Sequence, residues 1–257
     1  MRALWAVYKR ELGLFFRSTI AYAVAFALLG FMGLLVSSFI AQIVEANQSG
    51  FTQRFFTADD LIAAYMNYFT FLMVLFGPLL TMRLLAEESR EGTLEVLMTL
   101  PLPDWMFVVG KWLAAWTVYT FILALTLIYV VLAAALGVPS GGLVLAIYLG
   151  AFLYGGAVLA VAMIWSALTE DQLVAAFLGA ASILVLTLGS VIAEALGNPT
   201  EPGFANIIRE LSLATHYNDT MLSGLVQLHD VIYFIMVTVV ALFLTTLIVG
   251  TRRWRAA

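Results

Sequence analysis

Cysteine is absent from all 257 residues, which removes disulfides, thiolate nucleophiles and cysteine-held metals from consideration. Charge is the next scarcity: Asp, Glu, Lys and Arg make up 11% of the chain, against about 25% in an average soluble domain. Histidine occurs only at His216 and His229. Without a His-Glu-x-x-His pair, each reads as a surface or interface residue, and no metal site is expected. A Gly-x-x-x-x-Gly-Lys-Ser/Thr phosphate loop is also missing, because Gly110-Lys111 lacks the upstream glycine and runs into Trp112. The chain is therefore not expected to hydrolyse ATP by itself or to act as an enzyme.

What is present is apolar length. Hydrophobic residues are 63% of the chain and the mean hydropathy is +1.01. Residues 18–44, 61–82, 112–169, 172–193 and 231–251 contain no Asp, Glu, Lys or Arg. A bilayer core of about 30 Å needs about 20 apolar residues as a helix. Four of these blocks suffice for one crossing each, and the 112–169 block suffices for two, turning at Gly137-Val138-Pro139-Ser140-Gly141-Gly142. The expected fold is an all-α integral membrane protein, a single transmembrane domain over 1–257. Its six spans fall at about 20–42, 61–82, 110–136, 143–168, 172–194 and 230–250. The first apolar block is too long for a signal-peptide core of about 7–15 residues and reads as an uncleaved span.

Orientation follows the Lys/Arg bias. With the N-terminus cytoplasmic, Arg2, Lys9, Arg10, Arg17, Arg83, Arg90, Lys111, Arg252, Arg253 and Arg255 lie inside, leaving only Arg54 and Arg209 outside, so 10 of the 12 cations are internal. Both termini are accordingly expected in the cytoplasm of a bacterial inner membrane. Residues 1–19 precede the first span. On a helical wheel Arg2, Lys9, Arg10 and Arg17 share one sector beside Leu4, Trp5, Tyr8, Leu12, Phe15 and Phe16, the pattern of an amphipathic helix in the headgroup layer. The external connection 195–229 holds helix breakers at Gly197-Asn198-Pro199 and Glu201-Pro202-Gly203, then regains helical spacing. One or two short helices dipping into the outer face are expected there.

The cytoplasmic segment 83–106 concentrates the charge that the spans lack: Arg83, Glu87, Glu88, Arg90, Glu91, Glu95 and Asp104. Glu87–Glu91 and Glu91–Glu95 are repulsive i,i+4 pairs, so this ridge needs a basic partner or free solvation. Gly92 suggests a bend midway, and Pro101 and Pro103 stop the helix. The run EESREGTLEVLMTLPLPDW, with GKWLA after it, closely resembles the ABC type-2 permeases, and within them the gliding-motility-type permease subunits. The basic N-terminal helix, six spans, long connection before span six and Arg/Trp-rich tail extend the resemblance along the chain.

That resemblance implies a transmembrane permease subunit of an ABC transporter, working as an exporter. It also implies pairing with a second permease subunit, as homodimer or heterodimer, and docking on a cytoplasmic ATPase subunit. ATP and Mg would sit on that partner, with no cofactor on this chain. Glu87, Glu88, Arg90, Glu91, Gly92, Thr93 and Glu95 would form the coupling region, and Arg2, Lys9, Arg10 and Arg17 the interfacial helix. Membrane lipid is the remaining partner; nucleic acid is not expected. Mid-membrane ionisable residues mark ion pathways in secondary carriers and pumps, and these spans nearly lack them. An ion-coupled carrier or channel, or a non-transporting membrane scaffold, are the alternatives.

Overall fold

In lipid a backbone must satisfy its own hydrogen bonds, and a helix does so within one segment. The computed structural model describes residues 2–48, 57–92, 103–196 and 203–253. Among them every regular element is helical. The order is α1 (Arg2–Arg17), α2 (Thr19–Gln48), α3 (Ala58–Thr81), α4 (Arg83–Arg90), α5 (Asp104–Leu125), α6 (Leu127–Ala133), α7 (Gly141–Leu168), α8 (Gln172–Thr187), α9 (Gly189–Leu196), α10 (Phe204–Glu210), α11 (Leu213–Asn218) and α12 (Leu228–Arg253). Short 3-10 turns lie at Ala134–Leu136 and Met221–Ser223.

Five stretches are long and apolar enough to cross a membrane: Thr19–Gln42, Ala58–Arg90, Asp104–Ala133, Gly141–Leu168 and Leu228–Thr251. The α8–α9 pair, bent by 52°, counts as a sixth where it is taken as one span. Three departures from the expected boundaries bear on the packing. α2 runs on past 42 to Gln48. The third span begins at Asp104 instead of 110 and breaks at Thr126, whose hydroxyl donates back to the Leu123 carbonyl at 2.6 Å and meets the Tyr148 hydroxyl at 3.0 Å. The fifth span, expected at about 172–194, is divided into two helices that bend just before Gly189. A Cβ there would lie 3.0 Å from Ser212 Cβ and 3.2 Å from the Ile208 carbonyl oxygen, so the bend admits the α10–α11 connection.

α7 is the axis, with Ala151, Ala157, Val158, Leu159 and Ala160 fully buried. Its small residues let α5 approach closely, as lipid-embedded helices require. Trp112, Trp116 and Tyr119, at i, i+4 and i+7 on one face of α5, donate to the carbonyls of Gly156, Phe152 and Ala151 at 3.0, 3.1 and 2.6 Å. α2 and α12 are peripheral, with Phe26 and Phe243 exposed toward the hydrocarbon.

The course of the chain can be followed end to end. α1 packs beside Gly110 near the start of α5, and the last turn of α12 returns there, Gly250 lying beside Asp104. α8 also starts at this end, where Asp171 and Gln172 share a cleft with Arg90. α12 starts at the opposite end, near α11, whose Tyr217 donates to the Ile147 carbonyl early in α7 at 3.4 Å. Between these two ends the chain runs through the bent α8–α9 pair and the α10–α11 connection.

Candidate coupling site

α1 turns Leu4, Val7, Tyr8, Glu11 and Phe15 inward, the i, i+3, i+4 spacing of a packed helix face. Gly110 of α5 admits this face: a Cβ there would lie 3.0 Å from Val7 Cγ1 and 3.3 Å from the Leu4 carbonyl oxygen. Tyr8 and Thr117 hydroxyls meet at 3.2 Å, and Phe15 is buried. The expected aromatic face is thus divided, with Trp5 and Phe16 exposed. In the middle of the inward stripe sits an acid.

Glu11 is 5% exposed and Lys111 of α5 only 1%. The Lys111 ammonium donates to Glu11 Oε1 at 2.9 Å and lies 3.0 Å from Glu88 Oε1. Arg10 approaches Glu88 Oε1 at 3.7 Å from the exposed side, and the Phe107 ring centroid is 5.0 Å from Lys111 Nζ. Two carboxylates and two cations balance. A buried ammonium would be prohibitively costly without such partners. One ionic knot therefore joins α1, α4 and α5.

α4 is aimed at this knot by a joint. α3 contains Pro78, which cannot donate a backbone N–H, and Met82 separates α3 from α4 while keeping helical dihedrals. The buried Ser166 hydroxyl of α7 donates to the Met82 carbonyl at 2.9 Å and accepts from the Leu85 and Ala86 amides at 3.1 and 3.2 Å. One hydroxyl thus binds a carbonyl and two amides at the junction of α3 and α4. Arg83 donates to Ser18, and its guanidinium lies 5.0 Å from the Phe15 ring centroid, so α4 is fastened to the α1 region at both of its ends.

Above the knot is a cleft of about 410 Å³ whose lining includes Arg17, Arg83, Glu87 and Glu91 together with Arg10, Glu11, Glu88 and Lys111. A second cleft of about 400 Å³ places Arg90 with Glu170, Asp171, Gln172 and Leu173. Asp171 caps α8 by accepting from the Leu173 and Val174 amides at 2.7 and 3.3 Å.

The sequence-predicted residues therefore divide. Glu88 and Arg10 enter the knot; Glu87, Glu91 and Arg17 line its cleft; Arg90 belongs to the second cleft. Lys9 is exposed and Arg2 opens α1. The residues beyond Gly92, where a second helical half was expected, lie outside the described residues. Gly92 follows the end of α4 at Arg90 with φ of +69°, a left-handed conformation that glycine adopts without Cβ strain. Thr93 and Glu95 lie outside the described residues. Sequence reasoning missed Glu11 and Ser166, and gave Lys111 only a position. The available signals were small: Glu11 is the sole acid among the basic residues of α1, and Lys111 the sole charge between Asp104 and Glu170.

The histidines need a correction. His216 is 4% exposed, not a surface residue. Its Nδ1 lies 2.8 Å from Asp230 Oδ1 and its Nε2 3.0 Å from the Glu210 carbonyl oxygen.

A family model described as ABC-2 family transporter protein matches residues 52–251. A search of curated proteins finds no match.

Proposed function

This chain belongs to the ABC-2 family of transporter proteins, membrane components that are not themselves ATPases and normally work with one. From that premise we propose that it is the transmembrane permease subunit of an ABC exporter, of the group resembling gliding-motility permeases. It pairs with a second permease subunit and docks on a cytoplasmic ATPase subunit, where ATP and Mg are bound. The α1 end is the cytoplasmic end of an inner-membrane protein, and α1 lies along the headgroup layer.

One observation carries the reading of coupling. The Glu88–Lys111–Glu11 knot ties the acidic helix α4 to α1 and α5, while the Ser166 joint ties it to α7. A push on α4 and the residues after it cannot be absorbed by that segment alone. It reaches the N-terminal helix and two spanning helices through contacts that are short, buried and ionic or hydrogen-bonded. Glu87 and Glu91 stand at the rim of the cleft and offer negative charge to a basic docking surface, whereas Glu88 is committed inward. The same segment thus has a receiving side and a transmitting side.

Co-purification tests this proposal. Glu91→Lys combined with Glu95→Lys is expected to reduce retention of the ATPase subunit several-fold while helical content and melting temperature stay unchanged, since Glu91 is exposed. Unchanged retention together with unchanged transport would remove the coupling role.

A further inference from the structure

At the end of the bundle opposite α1, three short pieces of chain converge: the end of α10, helix α11 and the first turn of α12. They bring His216, His229 and Asp230 together, with one ligand atom from each lying within 4.8 Å of the others. The arrangement is specific in how each ring is held. His216 turns Nε2 to the Glu210 carbonyl oxygen at 3.0 Å and Nδ1 to Asp230 Oδ1 at 2.8 Å. His229 turns Nε2 to the Glu210 carboxylate at 4.0 Å and Nδ1 to the same Asp230 Oδ1 at 3.6 Å. The Glu210 carbonyl therefore holds the far nitrogen of His216, and the near nitrogens of both imidazoles lie on the side of one carboxylate.

A neutral imidazole carries one N–H. With the His216 Nε2–H given to the Glu210 carbonyl, its Nδ1 lone pair faces Asp230 Oδ1, and two acceptors meet at 2.8 Å. A metal ion placed there resolves the conflict and can take the second imidazole as well, whereas a second proton on His216 leaves Asp230 Oδ2 without a partner. Asp230 supports the same conclusion independently. It is 2% exposed and its second oxygen, Oδ2, is buried without a hydrogen-bond partner.

We propose that His216 Nδ1, His229 Nδ1 and the Asp230 carboxylate form a binding site for a first-row divalent transition-metal ion of the zinc class. Two imidazoles and a carboxylate suit such borderline ions. Metal-ligating histidines regularly give the other N–H to a carbonyl or carboxylate, the role the Glu210 carbonyl fills for His216. Bonds of about 2.0–2.1 Å in a tetrahedral shell set neighbouring donors about 3.3 Å apart, and the separations of 2.8 and 3.6 Å from Asp230 Oδ1 bracket that distance. Tyr233, stacked on His216 with centroids 3.8 Å apart, fixes the buried ring, while His229, 66% exposed in its side chain, leaves a coordination position open to water. The ion would pin the connection between α9 and α12 to the first turn of the last helix.

The test uses the full chain, purified in detergent and stripped with a chelator, then titrated with zinc against a chromophoric competitor. One zinc per chain is expected. His229→Ala changes an exposed side chain and Asp230→Asn is nearly isosteric, so both are expected to fold. Each should weaken binding by more than about tenfold, since losing even an outer partner of a ligand costs about 10–100-fold. Zinc should raise the melting temperature of the unsubstituted chain and leave both variants unmoved. Cobalt should give tetrahedral visible bands with the unsubstituted chain alone. Absence of stoichiometric zinc uptake would mean that a proton alone holds His216 to Asp230, and the proposal fails. It fails equally if either variant binds zinc as tightly as the parent.

Discussion

At the scale of single residues, the strongest commitment in the molecule is Lys111. Its ammonium is held at 2.9 and 3.0 Å by carboxylates from two other helices, in a place that water barely reaches. Removing one member of a buried ionic group leaves the others uncompensated, at a cost of about 3–5 kcal/mol, whereas replacing all members by neutral groups of similar volume is often close to neutral. Lys111→Met is therefore expected to lower the melting temperature in detergent sharply. Adding Glu11→Gln and Glu88→Gln to it should recover most of the loss. If the single substitution melts like the parent, the knot is not the structural tie described here. The recovered triple variant would also separate stability from function: on the coupling proposal it folds but transmits poorly from the ATPase.

At the scale of elements, the α3–α4 joint and the α5–α7 contact show how single positions fix where helices meet. Ser166 accepts from two amides of α4 and donates to the Met82 carbonyl. Ser166→Ala leaves these buried groups without their partner, a loss of about 1–3 kcal/mol. Faster amide hydrogen exchange confined to residues 82–90 is the expected signature, and uniform protection across that stretch would count against the joint. The α5–α7 contact depends on missing side chains. A Cβ at Gly155 would fall 2.0 Å from Tyr119 Cε1, and Tyr119 is itself pinned to the Ala151 carbonyl. Gly155→Ala is thus expected to destabilise by about 1–3 kcal/mol, the usual range for overpacking, measured as a lower melting temperature.

At the scale of the whole molecule, the decisive element is the bent pair. If α8 and α9 cross together, the chain makes six crossings and its ends share a side; if they re-enter, the count is five. The natural lack of cysteine offers a clean background for testing this. Val138 and Phe204 are exposed at the end opposite α1, at 97% and 72%, and Glu170 is exposed at the α1 end. In intact cells a membrane-impermeant maleimide should label Val138→Cys and Phe204→Cys, and Glu170→Cys only after permeabilisation. Labelling of Phe204→Cys only after permeabilisation would identify a re-entrant pair.

Some of this was open to reading in one dimension. A lipid core counts apolar residues along a segment, so the helical class, the location of the spans and the charged elbow after span two follow from local composition; so do the short helices before the last span. The details that make a site did not follow. Lys111 finds Glu11 across 100 residues, Ser166 reaches Leu85 across 81, and His216 meets Asp230 only because α11 folds back onto α12. Hydropathy is summed along the chain, but an ion pair depends on which helices approach and at what rotation. Those are set by glycines and small side chains whose effect is felt only against a neighbour. The sequence by itself determined the solvent and the number of apolar segments; the tertiary structure alone decided which of the few charges would be buried, with whom, and that one span would bend.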